Sequence, residues 1–469
     1  MALSPRSPLR SLASYLPPDR LILSPVQAGL YRSDAQTALA QLPGAVAFPV
    51  SAEEIVHLVR FCHEHEIPFV ARGCGTGLCG ACSPTSADSL VIVLQQMDRI
   101  VFIDPAERTA TVQPGVTPAR LDSEARLHGL RYLPNPGCNR SATLGGNLAL
   151  DAAGPNAHLC GNTACQLLGA TVVLPDGSAV ECGGAPAFGG IGPDPLHLLP
   201  RSEGALGIVV ELTLSLKPLA ESQVMLTASF PGFPSALEAA DSILFSGVLP
   251  VQLELFDART WAAMTRQNAL EPAPVLWCTL EGPTEQTKKE VRIVADLIQN
   301  AGALRIAPVP ESPARENLLK QRDGLFSSLG SVLVEDGVVP RSHLAEALRF
   351  LDQLGREEDI APLLSINAAT GNLFPAFPFD HAHLESFRQA ERAAIRFLLH
   401  CAESGGSITG CHGLGREKRG LIASVLPEEE IRFEQALRAV FHPGAPPPDA
   451  PSVTLFPPLP GETLHLSSR

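Results

Sequence analysis

The sequence predicts an α+β protein in two unlike parts, and three observations lead there. Up to about residue 219, short strands and hairpins surround two glycine-rich stretches. From about 220 to 425, strands such as VMLTASF alternate with longer amphipathic helices. The chain has 469 residues, too many for one ordinary core.

Residues 47–72 read as strand, helix, strand. Ser51 and Glu54 make a capping box. Ile55, Leu58, Val59 and Cys62 then recur at i, i+3, i+4 and i+7, one buried helix face. Phe69-Val70-Ala71 is the second strand, and a glycine loop follows it. Residues 89–97 read as a strand, and 99–116 as two strands joined by a polar turn at 104–108. Thr117-Pro118 opens a helix that runs to about His128, with Pro at its first position. A second glycine-rich stretch spans 134–154. A hairpin turns at Pro175-Asp176-Gly177, and 204–219 contains a strand. Helices at 284–301 and 341–355 mark the second part, and the Pro-rich tail at 440–460 is expected to be extended.

Composition excludes several classes. With 45% hydrophobic and 18% charged residues, the chain can bury a sizeable core. A net charge of −14 and the lack of any Lys/Arg block argue against a nucleic-acid partner. No apolar run reaches the roughly 18–20 residues that span a bilayer. The first residues carry Ser and Arg and no acid before Asp19, as a transit peptide would, but Pro5 and Pro8 weaken an amphipathic helix. Residues 1–18 are expected to be a disordered start to a cytoplasmic protein. Eleven cysteines, an odd count spread along a large chain, read as reduced thiols.

The loop VARGCGTGLCGAC (70–82) admits three chemistries. Cys74, Cys79 and Cys82 have the spacing of a plant-type iron–sulfur site. Gly75, Gly77 and Gly80 spell a Rossmann fingerprint. A glycine-rich turn can also cradle a pyrophosphate on backbone amides without any helix. The Rossmann motif needs a helix after its glycines, and here Ser-Pro-Thr-Ser and a strand follow. The iron–sulfur site needs a fourth cysteine, for which Cys138, Cys160 and Cys165 are candidates, so spacing alone leaves it open.

Together, ARGCGTGLCGA, PNPGCNRSATLGGNLALDAAGPNAHLCGN and RSEGALGIVVELTLSLKP resemble the vanillyl-alcohol-oxidase-like flavoproteins. Within them the match is to the group of D-lactate dehydrogenase, D-2-hydroxyglutarate dehydrogenase and the flavoprotein subunit of glycolate oxidase, from about residue 20 to about 440. The resemblance implies a two-part FAD-binding domain (1–219), an α+β substrate or cap domain (220–425) and a C-terminal segment (426–469) returning to the FAD domain. It places FAD against Arg72, Gly73, Cys74, Gly75, Thr76, Gly77 and Leu78 of the first loop. Pro136, Thr143, Gly145, Gly146, Asn147 and Gly154 come from the second stretch, and Glu203, Gly204 and Ile208 close over the cofactor. The loop cysteines then stand where relatives have small residues, as packed thiols. A flavin link through Cys138 is a lesser alternative.

In these relatives H-x-G-D-G-N-x-H and a later G-E-H-G supply two His and a Glu to a divalent metal, and the next His is the base. Here Asn367 and Phe374 stand at the two His positions and Cys411 at the Glu position. Asn and Phe are poor or impossible ligands, so no metal site is expected. His412 keeps the base position, Asn372 is kept, and Arg322 matches the arginine that would pair with a substrate carboxylate. The bland alternatives are a structural histidine, a surface ion pair for Arg322 and a buried thiol for Cys411. Arg341 matches a Pro-Arg that opens a helix. The resemblance implies oxidation of a small 2-hydroxy acid, with hydride passing to flavin N5. The rival reading is an FAD-binding subunit of a larger complex, with an electron acceptor or an iron–sulfur subunit as partner.

Overall fold

Ser51 Oγ accepts from the Glu54 amide (3.3 Å) and caps the helix Ala52–Glu64, which buries Ile55, Leu58, Val59 and Cys62. The computed structural model describes residues 7–184, 192–265, 273–325 and 329–441, and it places this helix between two sheets. The first has the strand order Leu21–Ile22, Ala45–Ala47, Leu90–Val93, Phe69–Arg72. Its last three strands are parallel, so the glycine loop leaves the C-terminal end of a parallel strand. The second is antiparallel, in the order Ile100–Asp104, Thr109–Val112, Ile208–Ser215, Leu167–Val173, Ala179–Gly183. Val173, Ile208 and Val210 from this sheet meet the helix face and Ala45, Ala47, Leu90 and Ile92 in one core. Its other face packs Val112, Leu212 and Leu214 on Leu121 and Ala125 of the helix Pro118–Arg126 and on Leu144 and Leu148.

Three expectations are corrected. The start of the chain was expected to be disordered, but a 3-10 helix, Pro8–Ser14, buries Leu9 and Leu12, and Leu16 follows them into the core. Three leucines gain by burial, and Pro8 is tolerated at the first helical position, while residues 1–6 lie outside the described residues. The second glycine stretch, read as a loop, contains the helix Leu144–Leu150, capped by Thr143 Oγ1 on the Gly146 amide (3.3 Å). The strand expected at 89–97 stops at Val93 and continues as a 3-10 turn. The Pro-rich tail beyond Phe441 lies outside the described residues.

The rest is built on an eight-stranded sheet, counted among the described residues. Its main path runs Arg305–Val309, Ser222–Ser229, Val275–Gly282, Gln252–Phe256, Leu363–Asn367, Asn372–Pro378, Val332–Val334, and off this path Gly337–Val338 pairs with Asn372–Pro378. Alternation along the strands gives two unlike faces. Leu253, Leu255, Leu276, Cys278, Leu364 and Ile366 face a core shared with the helices Phe233–Phe245, Thr284–Asn300, Leu344–Glu357 and Leu384–Glu403. The other face carries a polar row: Glu254 stands opposite Asn367, and Asn367 opposite Asn372.

Candidate active site

The first glycine loop is a cradle with its donors unspent. The amides of Cys74 through Leu78 have no hydrogen-bond partner among the described residues and are only half-buried. Gly75 is left-handed (φ 69°) and lies against the Arg72 guanidinium, so a side chain fits neither the backbone nor the space. The base of the loop is anchored. Arg72 donates to Ser33 O (2.9 Å), and Asp34 accepts from the amides of Gln36 (2.9 Å) and Gly80 (2.8 Å). Burial pushes the Asp34 carboxyl up to about 6. Gly73 touches Thr143, which brings the second stretch alongside, with Gly145 on Pro114 and Gly154 on the Asn135–Pro136 main chain. Asn147 is buried with its Nδ2 unpartnered. Free amides beside an orphaned carboxamide suit an anionic phosphate group, and the absent side chains leave room for it, so these residues fit the cofactor that the resemblance implies.

The loop cysteines point apart. Cys82 Sγ lies 3.5 Å from Arg72 Nη1, whereas Cys79 faces Gly413 and Gly415. Burial pushes the Cys79 thiol well up and the Cys82 thiol to about 12. Both are inert, packed thiols. Glu203 and Ile208 are committed elsewhere: Ile208 packs in the core described above, and the Glu203 carboxylate accepts backbone amides of residues 414 and 415. Gly204 is left-handed (φ 81°).

His412 sits on a loop, 409–418, organised by a buried carboxylate that the sequence did not announce. Asp336 Oδ2 accepts from Thr409 Oγ1 (3.0 Å) and from the amides of Gly410 (2.9 Å), Cys411 (2.7 Å) and His412 (2.7 Å). Its Oδ1 is paired with Lys418, which also stands 3.1 Å from Glu335. Burial alone would raise the Asp336 carboxyl, but Lys418, His412 and the Cys411 amide hold it well below the usual carboxylate range. Burial would likewise lower the Lys418 ammonium, and Asp336, Glu335 and Glu417 raise it instead. The His412 side chain is 17% exposed, with Nδ1 3.7 Å from Asp336 Oδ1 and its ring tilted against Phe374 (5.8 Å). Burial lowers its pKa from 6.5, Asp336 opposes that and Lys418 adds to it. The imidazole is therefore neutral at neutral pH and able to take a proton.

Asn372 packs against the loop that carries His412: its Nδ2 occupies the place where a Cβ on Gly410 would stand. Arg322 lies further along the polar row. Its Nη2 donates to Glu254 Oε1 (2.8 Å) and Nη1 to Asp323 Oδ1 (3.1 Å), and the second Glu254 oxygen is buried without a partner. Glu254 and Asn372 are two strands apart, about 10 Å at the usual strand spacing. Arg322 is thus a buried ion pair, not a surface one, and three of its five N–H groups remain for other acceptors.

Among the described residues, one group brings three potential metal ligands within 4.8 Å: Asp336, Cys411 and His412. The donors do not suit an ion. Asp336 already accepts Thr409 Oγ1, the amides of residues 410–412 and Lys418, and burial with Asp336 nearby pushes the Cys411 thiol up. Asn367 is used in a turn, accepting from Ala369 (3.2 Å) and Thr370 (3.3 Å).

Residues 43–183 match the FAD binding domain family, and 219–445 match the C-terminal domain of FAD linked oxidases. The glycolate oxidase subunit GlcD of Bacillus subtilis is 30% identical over 88% of this chain and 90% of its own. The chain belongs to the FAD-linked oxidases. The D-lactate dehydrogenase of Archaeoglobus fulgidus is 29% identical, over 85% of this oxidase and 88% of its own length. Two solved structures share the fold. p-Cresol methylhydroxylase has a TM-score of 0.81 at 16% identity, covering 94% of this chain and 96% of that one. The 4-ethylphenol oxidase from Gulosibacter chungangensis has 0.80 at 17%, covering 96% and 98%. This FAD-linked oxidase is therefore a flavoprotein oxidoreductase with the fold of those two structures. Asp336 and Lys418 are the residues of its site that sequence reading missed. Their only local signal was the charged pair Glu335-Asp336 beside a strand.

Proposed function

We propose that this FAD-linked oxidase dehydrogenates a small 2-hydroxy acid resembling D-lactate, glycolate or D-2-hydroxyglutarate, without the divalent metal of its relatives. FAD, held by the amides of the first loop and by Asn147, supplies the two-electron acceptor. His412 takes the hydroxyl proton, Asn372 orients the hydroxyl beside it, and free N–H groups of Arg322 meet the carboxylate. Residues 1–219 with 426–469 would hold the cofactor, and 220–425 the substrate. The observation that carries the reading is the placement of His412, its Nδ1 3.7 Å from Asp336 Oδ1, on a loop whose amides Asp336 holds and against which Asn372 packs at Gly410. Relatives named for glycolate oxidase and D-lactate dehydrogenase support the substrate class.

The test is anaerobic flavin reduction in wild type and His412→Ala. The limiting rate should fall by about 10²–10⁴ with FAD content unchanged. An unchanged rate with the true substrate would remove His412 from the mechanism. A second reading, a subunit that passes electrons to an iron–sulfur partner, is favoured by relatives that carry the name of a glycolate oxidase subunit. The eleven free thiols suit a reducing, cytoplasmic setting. No described helix is long and apolar enough to cross a membrane.

A further inference from the structure

The loop that carries His412 is gripped from both flanks, and the second grip comes from the flavin-binding part of the chain. Asp336 takes the amides of 410–412. On the other side, Glu203 Oε1 accepts from the amides of Leu414 (2.7 Å) and Gly415 (3.2 Å), and Oε2 accepts from Gly415 (3.1 Å). Glu203 is only 6% exposed and left-handed (φ 51°), and its own amide is tied to Ala149 O (2.9 Å). A buried, left-handed glutamate persists only where its surroundings over-determine it. The loop is shaped to receive it. A Cβ on Gly413 would stand 2.8 Å from Glu203 Oε1 and 2.7 Å from Leu150 Cδ2, at a φ of 87°. Beyond Gly415, the amides of Arg416 (2.9 Å) and Glu417 (3.1 Å) donate to the carbonyl of Cys79, at the end of the first glycine loop.

We propose that Glu203 is a positioning residue for His412: its carboxylate fixes loop 409–418 in register with the flavin-binding loops, so that the base stands where the cofactor needs it. This rests on the reading of His412 as the base. Glu203 Oε1 takes both amides and Oε2 takes Gly415 a second time. A glutamine of the same shape would turn an NH2 toward one of the amides. With one grip lost, the loop can pivot about Asp336, and the base loses its place without leaving the protein.

The experiment is hydrogen–deuterium exchange by mass spectrometry on the FAD-loaded wild type, Glu203→Gln and Gly413→Ala. It is paired with rapid-mixing flavin reduction by D-lactate. In both variants, the segment 409–418 should exchange about tenfold faster, with FAD content and the exchange of the helix Leu384–Glu403 unchanged. The limiting reduction rate should fall about tenfold, while the apparent Kd for D-lactate stays within about twofold. Gly413→Ala attacks the same contact from the loop, so a folding failure of Glu203→Gln leaves the test intact. Unchanged exchange of 409–418, faster exchange with an unchanged limiting rate, or loss of FAD in place of loop protection would each overturn the proposal. If no hydroxy acid reduces even the wild-type flavin, the base reading fails, and the exchange data alone still decide whether Glu203 holds the loop.

Discussion

In the proposed mechanism His412 is the base, and burial with Lys418 holds its ring neutral against the pull of Asp336. Burial favours the neutral ring, Asp336 favours the charged one, and the net effect is a pKa below 6.5. The flavin reduction rate should therefore rise with pH through an inflection below 6.5 and be flat above it; an inflection near 8 would assign the proton to another group. Arg322 carries one positive charge against Glu254 and Asp323, and burial pushes the Asp323 carboxyl up. A substrate carboxylate would meet a trio with one more negative charge than positive. Asp323→Asn should lower the Kd for D-lactate by about three- to tenfold, and an unchanged Kd would take Arg322 out of the substrate site. Glu203 and Asp34 follow a different logic. Burial raises them to about 7 and about 6 from ordinary values of 4.5 and 3.8. The folded protein holds protons that the unfolded chain releases. The stability these groups supply is present below about pH 4 and lost as pH rises through 7, on the order of a few kcal/mol together. The Tm of Glu203→Gln relative to wild type should increase between pH 5 and 8. A difference independent of pH would show that Glu203 ionises freely.

The loop 409–418 depends on a buried ion pair more than on local preference. Lys418 is 1% exposed and 82 residues from Asp336 in sequence. Lys418→Met would leave Asp336 and Glu335 buried without their cation and should cost about 3–5 kcal/mol in urea unfolding. A loss under about 1 kcal/mol would mean that the amides alone hold Asp336. That separation is also why the site was only half legible. The helix Ala52–Glu64 could be read from Ser51, Glu54 and four spaced apolar residues, because its cap and its buried face are local patterns. The glycine loop could be read because φ > 0 and bare amides demand glycine. Helix Leu144–Leu150 was hidden by Gly145 and Gly146, which weigh against a helix by propensity; the Thr143 cap and the burial of Leu144 and Leu148 outweigh them. No local pattern tells Asp336 that it will meet residues 409–418, or Glu203 that it will meet 414 and 415. Family likeness supplied His412 and Asn372. Only the folded chain supplies their supports.

Seen whole, the molecule presents the polar face of one sheet to a cradle built by two others, in a chain of net charge −14. That charge opposes the approach of any anionic substrate. Raising ionic strength from ~0.01 M to ~0.15 M should increase kcat/KM for D-lactate modestly by screening; a steep decrease would reveal a positively charged entrance. The proposed reaction needs FAD and His412 and no divalent ion. It is tested most directly by anaerobic titration of the purified, EDTA-treated protein with D-lactate, glycolate and D-2-hydroxyglutarate, followed in the flavin absorption bands. One of these acids should bleach the flavin, at a rate that added Zn²⁺ or Mn²⁺ does not change. Flavin that stays oxidised with all three acids until a metal is restored would contradict it.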